Sequence, residues 1–379
     1  MTSMPGLAAI TLDPRGGGVA TVSRLLSRVL VDEWGDRCRV VTLVPPGATS
    51  LDTTTPERVA FGARVAWAQA RRRCPWMLFA HLAIARTQAY VPLPVRRPYA
   101  IFLHGIESWR PLSPSQERVL RGASVLLVNS AYTARRVRAE HPWMPVPRVC
   151  PLALELPVDL SSSTLDLSSA SDRGGDQPWG PHAVLIVGRM AAAERYKGHD
   201  ELLDAWPTVV ADVPDARLVF VGEGDDRARL RERAQALGVG ASLVTTGFLD
   251  AVALDAAYWS AAVFAMPSRN EGFGLVYLEA MARGLPCIGS VLDAAAEVID
   301  DGGTGYLVDQ RDIGELSLRL IRLLRDPDLR QEMGARGRQR ALQRFGYPQF
   351  RDRVVAALHG AFDKAIGVPA LASRTDERR

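Results

Sequence analysis

The chain has 379 residues, 47% of them hydrophobic and 23% charged, with a formal net charge of +4. That length is too great for one ordinary domain and suits two, each with its own core, in the balance of a soluble globular protein. No apolar run approaches the ~20 residues of a membrane span, no basic segment leads into an apolar one as a leader would, and the cysteines Cys38, Cys74, Cys150 and Cys287 form no C-x-x-C pair, so a cytoplasmic protein without metal knuckle or disulfide framework is expected.

Strand-like runs alternate with helical segments from the start. Leu7–Leu12 reads as a strand, Gly16-Gly17-Gly18 as a tight loop, and Val19 to about Glu33 as a helix. The runs Arg39–Val44, Trp76–Ala80, Tyr99–Leu103 and Ser124–Val128 follow as strands with helices between. Such alternation marks a parallel sheet covered on both faces. Serine, glycine and proline then crowd residues 160–182, which predicts a linker. The alternation restarts with Ala183–Val187, Arg217–Val221, Ser242–Thr246, Ala262–Met266 and Pro286–Ile288. Residues 312–365 read as helical, interrupted around Gly346-Tyr347-Pro348. The expected organisation is a first α/β domain over 1–174, a second over 175–345, a last helix over 346–366 and a disordered tail over 367–379.

Ligands of such sheets bind beyond the carboxyl ends of the strands, so the loops there are the candidate chemistry. Gly16-Gly17-Gly18 opens a helix and can bring backbone close to a phosphate, although it has neither G-x-G-x-x-G spacing nor a Walker lysine; a plain tight turn is the alternative. His104-Gly105 ends the strand Tyr99–Leu103, where an imidazole can serve a sugar hydroxyl or a developing charge or simply bond to backbone. Gly188-Arg189 and Lys197-Gly198-His199 put two cations after Ala183–Val187, suited to a diphosphate leaving group. Lysine is scarce here: only Lys197 and Lys364 occur beside 44 arginines, and a compact ammonium fits between phosphate oxygens where a planar guanidinium does not. Lastly, Glu271-Gly272-Phe273-Gly274-Leu275 leads into a helix bearing Glu279. Its glycines free backbone N–H groups as an anion nest, and its two carboxylates can hold sugar hydroxyls. Glu223-Gly224-Asp225-Asp226 superficially resembles a metal motif and is read as the N-cap of the next helix.

Charge is uneven. Residues 1–170 hold 20 Arg against 12 Asp and Glu, while the remainder is net negative. Arg71-Arg72-Arg73, Arg96-Arg97 and Arg135-Arg136 with Arg138 are either solvated helix faces or an attraction to phosphate-bearing acceptors and anionic membrane. Aromatics do not interleave with them, which argues against nucleic acid.

Glu271 to Glu279 resembles the E-x7-E motif of retaining glycosyltransferases of the GT-B fold, in particular glycosyltransferase family 4. The glycine loop, the His-Gly dipeptide and the Arg…Lys pair fall where that family has them, over about Leu7 to Phe362. The resemblance implies two Rossmann-like doubly wound domains facing across a cleft. It implies that Arg189 and Lys197 bind a donor diphosphate, that Glu279 holds the ribose, and that Glu271 contacts the donor sugar with Gly272, Phe273, Gly274 and Leu275 offering backbone. Gly188 belongs to the same donor site. Gly17 and Gly18 would approach phosphate and sugar, His104 would line the reaction centre, and Gly247-Phe248 would meet the base. His104, Arg189, Lys197 and Glu271 are thus the expected catalytic set. No metal and no cofactor is implied: the nucleotide-diphosphate sugar, GDP- or UDP-linked, is a co-substrate, and the reaction is a front-side substitution with retention. His104–Trp109 with Asn129-Ser130 is similar to bacterial mannosyl- and other hexosyltransferases acting on lipid-linked acceptors. The expected partners are therefore a nucleotide sugar and a glycan or lipid-linked acceptor, with peripheral contact at an anionic membrane and no nucleic acid. The departures are Leu152-Ala153-Leu154-Glu155 in place of a Gly-Val-Asp turn and the alanine run in Ala191–Tyr196. Two readings compete: a nucleotide-sugar epimerase or phosphorylase of the same fold, and a non-catalytic scaffold.

Overall fold

The computed structural model describes residues 4–36, 38–45, 47–48, 52–70, 74–155 and 178–366. The Arg71-Arg72-Arg73 cluster, most of the 160–182 stretch and the tail from 367 lie outside the described residues. The chain divides into two compact units, Met1–Pro151 with Tyr347–Arg379, and Leu152–Gly346. The division falls at Pro151/Leu152, ahead of the serine-rich stretch, because Leu152, Ala153 and Leu154 are already buried and the Leu154 N–H bonds to the Phe345 carbonyl at 3.0 Å.

The first unit carries β1 (Gly6–Ala9), β2 (Arg39–Thr42), β3 (Met77–Phe79), β4 (Tyr99–Leu103), β5 (Val125–Val128) and β6 (Arg148–Val149), in the order β2-β1-β3-β4-β5-β6. All pairs are parallel. β1, β3 and β4 are buried along their whole length, as a sheet covered by helices on both faces requires. The short β6 was not expected; two residues carry no periodicity to read. The order reverses between β1 and β3, so the loops after those strands border the switch point. The helix Tyr347–Ile366 belongs to this unit. Its Phe362 ring stacks on Trp76 with centroids 4.5 Å apart, Arg351 pairs with Glu33 at 2.7 Å, and the Tyr347 hydroxyl donates to Asp32 at 2.6 Å.

The second unit carries β7 (Ala183–Val187), β8 (Arg217–Val221), β9 (Leu243–Gly247), β10 (Val263–Ala265), β11 (Cys287–Ser290) and β12 (Gly305–Val308), again all parallel, in the order β12-β11-β10-β7-β8-β9. This is the strand order of a dinucleotide-binding Rossmann sheet, with its reversal between β7 and β10. β12 was missed in the sequence. Its first residue, Gly305, has φ +158, and a Cβ there would overlap the Cys287 carbonyl oxygen, so closeness to β11 defines this strand more than any apolar pattern does. The helical stretch from 312 is three helices, Ile313–Arg325, Pro327–Arg344 and Tyr347–Ile366. Asp326 accepts from the Leu329 N–H and starts the second at Pro327, and Tyr347-Pro348 begins the third, as proline at a first helical turn permits.

Candidate functional site

In the second unit the loops after β7, β8 and β10 meet at the switch point. They are in contact backbone to backbone, which is why glycine recurs. A Cβ at Gly222 would strike the Gly188 carbonyl, and one at Gly224 the Met190 carbonyl. Gly198 sits at φ +97 with Pro267 less than 3 Å from where its Cβ would be. The Met190 N–H bonds to the Glu223 carbonyl at 2.8 Å, and the Arg269 N–H to the Tyr196 carbonyl at 3.1 Å.

These contacts bring Arg189, Lys197 and Glu271 onto neighbouring loops, while Glu279 lies in the helix Leu275–Ala282 that follows Glu271. Lys197 ends the 3₁₀ turn Ala192–Lys197 and runs over Gly188, where a Cβ would stand 3.2 Å from its Cδ. Arg189 is exposed. Both cations pair with Glu194: Lys197 Nζ lies 3.0 Å from Oε2, and Arg189 Nη2 contacts Oε1. Glu194 was not expected from the sequence. It departs from helical backbone at φ −121 and ψ 24 inside its turn, and only the fold shows that this aims it at both cations. Behind them His199 is buried edge-on to Phe220, with ring centroids 4.9 Å apart. Burial, then Lys197, lowers its pKa to about 4, so it is neutral and adds no third positive charge.

Glu271 is half-buried. Burial pushes its carboxyl up, while Lys197 and the N–H groups of Phe273, Gly272 and Gly274 pull it down. The nest expected for an anion therefore holds Glu271's own carboxylate in this state. Gly274 at φ +92 caps the helix Leu275–Ala282, and a Cβ there would overlap the Tyr277 ring. The Phe273 side chain is buried against Phe345, with centroids 5.8 Å apart, which leaves only its backbone for a ligand. Two further residues that the sequence did not flag organise this loop. Asp293, 3% exposed, accepts from Ser268 Oγ, from the Glu271 N–H at 3.2 Å and from the Ala295 N–H at 2.9 Å, and burial lifts its pKa to about 7. Tyr258, fully buried, donates its hydroxyl to Glu279 Oε2 at 2.7 Å. Burial raises the Glu279 carboxyl, with Tyr258 and Arg283 opposing. Gly247, at φ +79, closes the edge strand β9, and Phe248 after it is 59% exposed. Asp226 occupies the expected N-cap position but makes no cap bond. Its carboxylate is taken instead by the guanidinium forks of Arg195 and Arg229, charge-assisted bonds stronger than one to a neutral backbone N–H.

In the first unit Gly17 and Gly18 are exposed at the start of the 18-residue helix Gly17–Trp34, which has no side-chain cap and no acidic residue in its first turn. Gly17 needs its φ of +59, and a Cβ there would meet open space. His104 is half-buried after β4, and Asn129 Nδ2 donates to its carbonyl at 2.7 Å. Its Nε2 lies 2.7 Å from the Ala80 carbonyl and donates there, since a carbonyl oxygen only accepts. The backbone bond expected as the alternative is thus the one His104 makes, through Nε2. His81, after β3, lies with its ring 5.0 Å from that of His104, and its Nδ1 accepts from the Ala83 N–H. Burial lowers its pKa to about 4. Several basic residues of this unit serve structure: Arg96 donates to the Val91 carbonyl, Arg97 to the Gln69 carbonyl, and Arg136 covers the Trp109 ring.

Residues 177–340, nearly the whole second unit, match the family of glycosyl transferases group 1. A GDP-mannose-dependent monoacylated alpha-(1-6)-phosphatidylinositol monomannoside mannosyltransferase of Corynebacterium glutamicum is 32% identical over 62% of this chain and 63% of its own length. A GDP-mannose-dependent alpha-(1-6)-phosphatidylinositol monomannoside mannosyltransferase of Mycolicibacterium smegmatis is 35% identical over 49% of each. The chain spans about half the length of the curated relatives it matches. Among solved structures, sucrose-phosphate synthase from Thermosynechococcus elongatus superposes with a TM-score of 0.75 at 21% identity, over 95% of this chain and 100% of that one. Anabaena HepE in complex with UDP and glucose superposes at 0.70 and 18%, over 94% and 99%. The fold is the two-domain α/β GT-B fold of these glycosyltransferases.

Proposed function

We propose that the protein is a retaining hexosyltransferase that moves a sugar, mannose by preference, from a nucleotide-diphosphate sugar to a glycan or lipid-linked acceptor in polysaccharide or glycolipid assembly. The observation that carries this is the convergence at the β7–β10 switch point of Arg189 and Lys197 with the Glu271–Glu279 loop. Two cations on adjoining loops suit a departing diphosphate, and fixed charges there stabilise it without reorganising as the bond breaks. Glu279, oriented by Tyr258, holds the ribose. Glu271 takes the sugar hydroxyls, and Phe248 offers a face to the base. In the first unit, His104 and the open helix start at Gly17-Gly18 are that unit's own candidates for contact with sugar hydroxyls. Departure of the diphosphate from the face that the acceptor hydroxyl approaches gives retention, and the leaving phosphate accepts the acceptor's proton, so neither a separate base nor a metal is needed. The GDP-mannose dependence of the relatives tips the donor toward GDP-mannose.

Titration with GDP- and UDP-sugars in the presence of a chelator tests the reading, and binding of at least one is expected; binding of none would sink it. The anomeric configuration of the product, read by NMR, tests retention, and an inverted product overturns that part. The basic surplus of the first 170 residues supports a peripheral site at an anionic membrane. No helix among the described residues is long and apolar enough to cross one. Co-sedimentation with anionic vesicles should fall as salt rises, and indifference to lipid charge counts against it.

A further inference from the structure

Glu194 stands where the proposed donor's diphosphate is needed. Among the described residues it is the ion-pair partner of both Arg189 and Lys197. Its side chain is only 13% exposed, and that of Lys197 17%, so the carboxylate occupies the space between the cations rather than lying over them in solvent. The contact with Lys197 is a charge contact: Oε2 has no hydrogen bond of good geometry, although Lys197 Nζ is 3.0 Å away. The ammonium protons are therefore not committed to it. Arg189 is 74% exposed and can follow an incoming anion.

We infer that Glu194 is a built-in counter-anion of the donor site, holding Arg189 and Lys197 together in the empty state and yielding its place to the diphosphate. This deepens the proposed function and rests on it. With the carboxylate in place the three groups sum to +1; without it the pair presents +2. Two like charges at this distance repel each other, the largely buried Lys197 being the less screened, so the carboxylate preassembles them, at the cost of weaker diphosphate binding. That cost favours product release, because the same carboxylate competes with the nucleoside diphosphate left after transfer.

The test is calorimetric titration of the full chain and of Glu194→Gln with GDP, UDP, inorganic pyrophosphate and the bare nucleosides. Glu194→Gln keeps the shape and removes the charge. It should bind the favoured nucleoside diphosphate and pyrophosphate about 3- to 10-fold more tightly, the size of a partly exposed ion pair, and bind the nucleoside as the parent does. Weaker or unchanged diphosphate binding by Glu194→Gln overturns the inference while leaving the proposed function standing. A parent chain that binds no nucleoside diphosphate overturns both. If Glu194→Gln loses structure, nucleoside and diphosphate binding fall together, and Glu194→Asp decides. Its shortened carboxylate cannot span both cations, so it too should bind diphosphate more tightly, and failure to do so overturns the inference.

Discussion

The two units use one sheet architecture and hold their strand-end loops by different means. In the second unit those loops are locked by charge, Arg189 and Lys197 on Glu194 and Arg195 and Arg229 on Asp226, with Asp293 accepting from the Ser268 hydroxyl and the Glu271 N–H. In the first the charged contacts stay within a loop, Arg15 on Asp13 and the His104 N–H on Glu107, while backbone carbonyls join one loop to the next, that of Ala80 taking His104 Nε2 and that of Ala48 taking Arg15, beside an uncapped helix start at Gly17. The difference teaches that one architecture can join its loops through paired charges in one unit and through backbone carbonyls in the other.

The comparison breaks most visibly at the cations. Lys197→Ala and Glu279→Ala should each weaken nucleotide-sugar binding or turnover roughly 10-fold or more, since each removes a charged contact of about 1.5–3 kcal/mol. Wild-type kinetics in both would remove the second unit's claim to the donor. Asp293→Asn should show a pH signature. The folded pKa, about 7, lies above the unfolded one, so the native carboxyl holds its proton while the unfolded one loses it, and the native state loses stability as pH rises from about 4 to about 7. The stability advantage of the parent over Asp293→Asn should shrink across that window by on the order of 2 kcal/mol; a pH-independent gap shows that Asp293 is ionised throughout. Tyr258→Phe removes only the hydroxyl that orients Glu279 and should raise the Kd for donor about 3- to 10-fold, a single charge-assisted hydrogen bond, with folding unchanged; an unchanged Kd means that Glu279 needs no orienting. The smallest effect lies in the first unit. Burial alone would lower His359, but Glu33 and Asp363, at 3.0 and 2.8 Å, outweigh it and raise its pKa. Its contribution is therefore full below about pH 6.5 and fades as pH rises through the raised value. His359→Gln should lower the melting temperature by a few degrees at pH 6, for a contribution under about 1 kcal/mol, and by less at pH 8.

The placement of much of the candidate site was legible because strand ends, glycines and a rare lysine are local signals. Arg189, Lys197, Glu271 and Glu279 follow recognisable strands, and glycines mark where backbones approach. Glu194, Tyr258, Asp293 and His81 carried no such mark. A glutamate inside an alanine-rich turn, a tyrosine in an apolar helix and an aspartate 22 residues beyond Glu271 acquire meaning only when distant loops meet. Asp226 stands at the N-cap position read from the sequence, but its carboxylate turns to Arg229, three residues on, and to Arg195, 31 residues away, and the distant partner carries no local signal.

By itself, the sequence determined two parallel α/β sheets and which loops lie at their carboxyl ends, because alternation, glycine and chain direction are properties of neighbouring residues. The tertiary structure decided which of those loops touch, and with that the charge state of the site. Whether two cations stand free or already share a carboxylate depends on a few ångströms between segments that only strand order brings together.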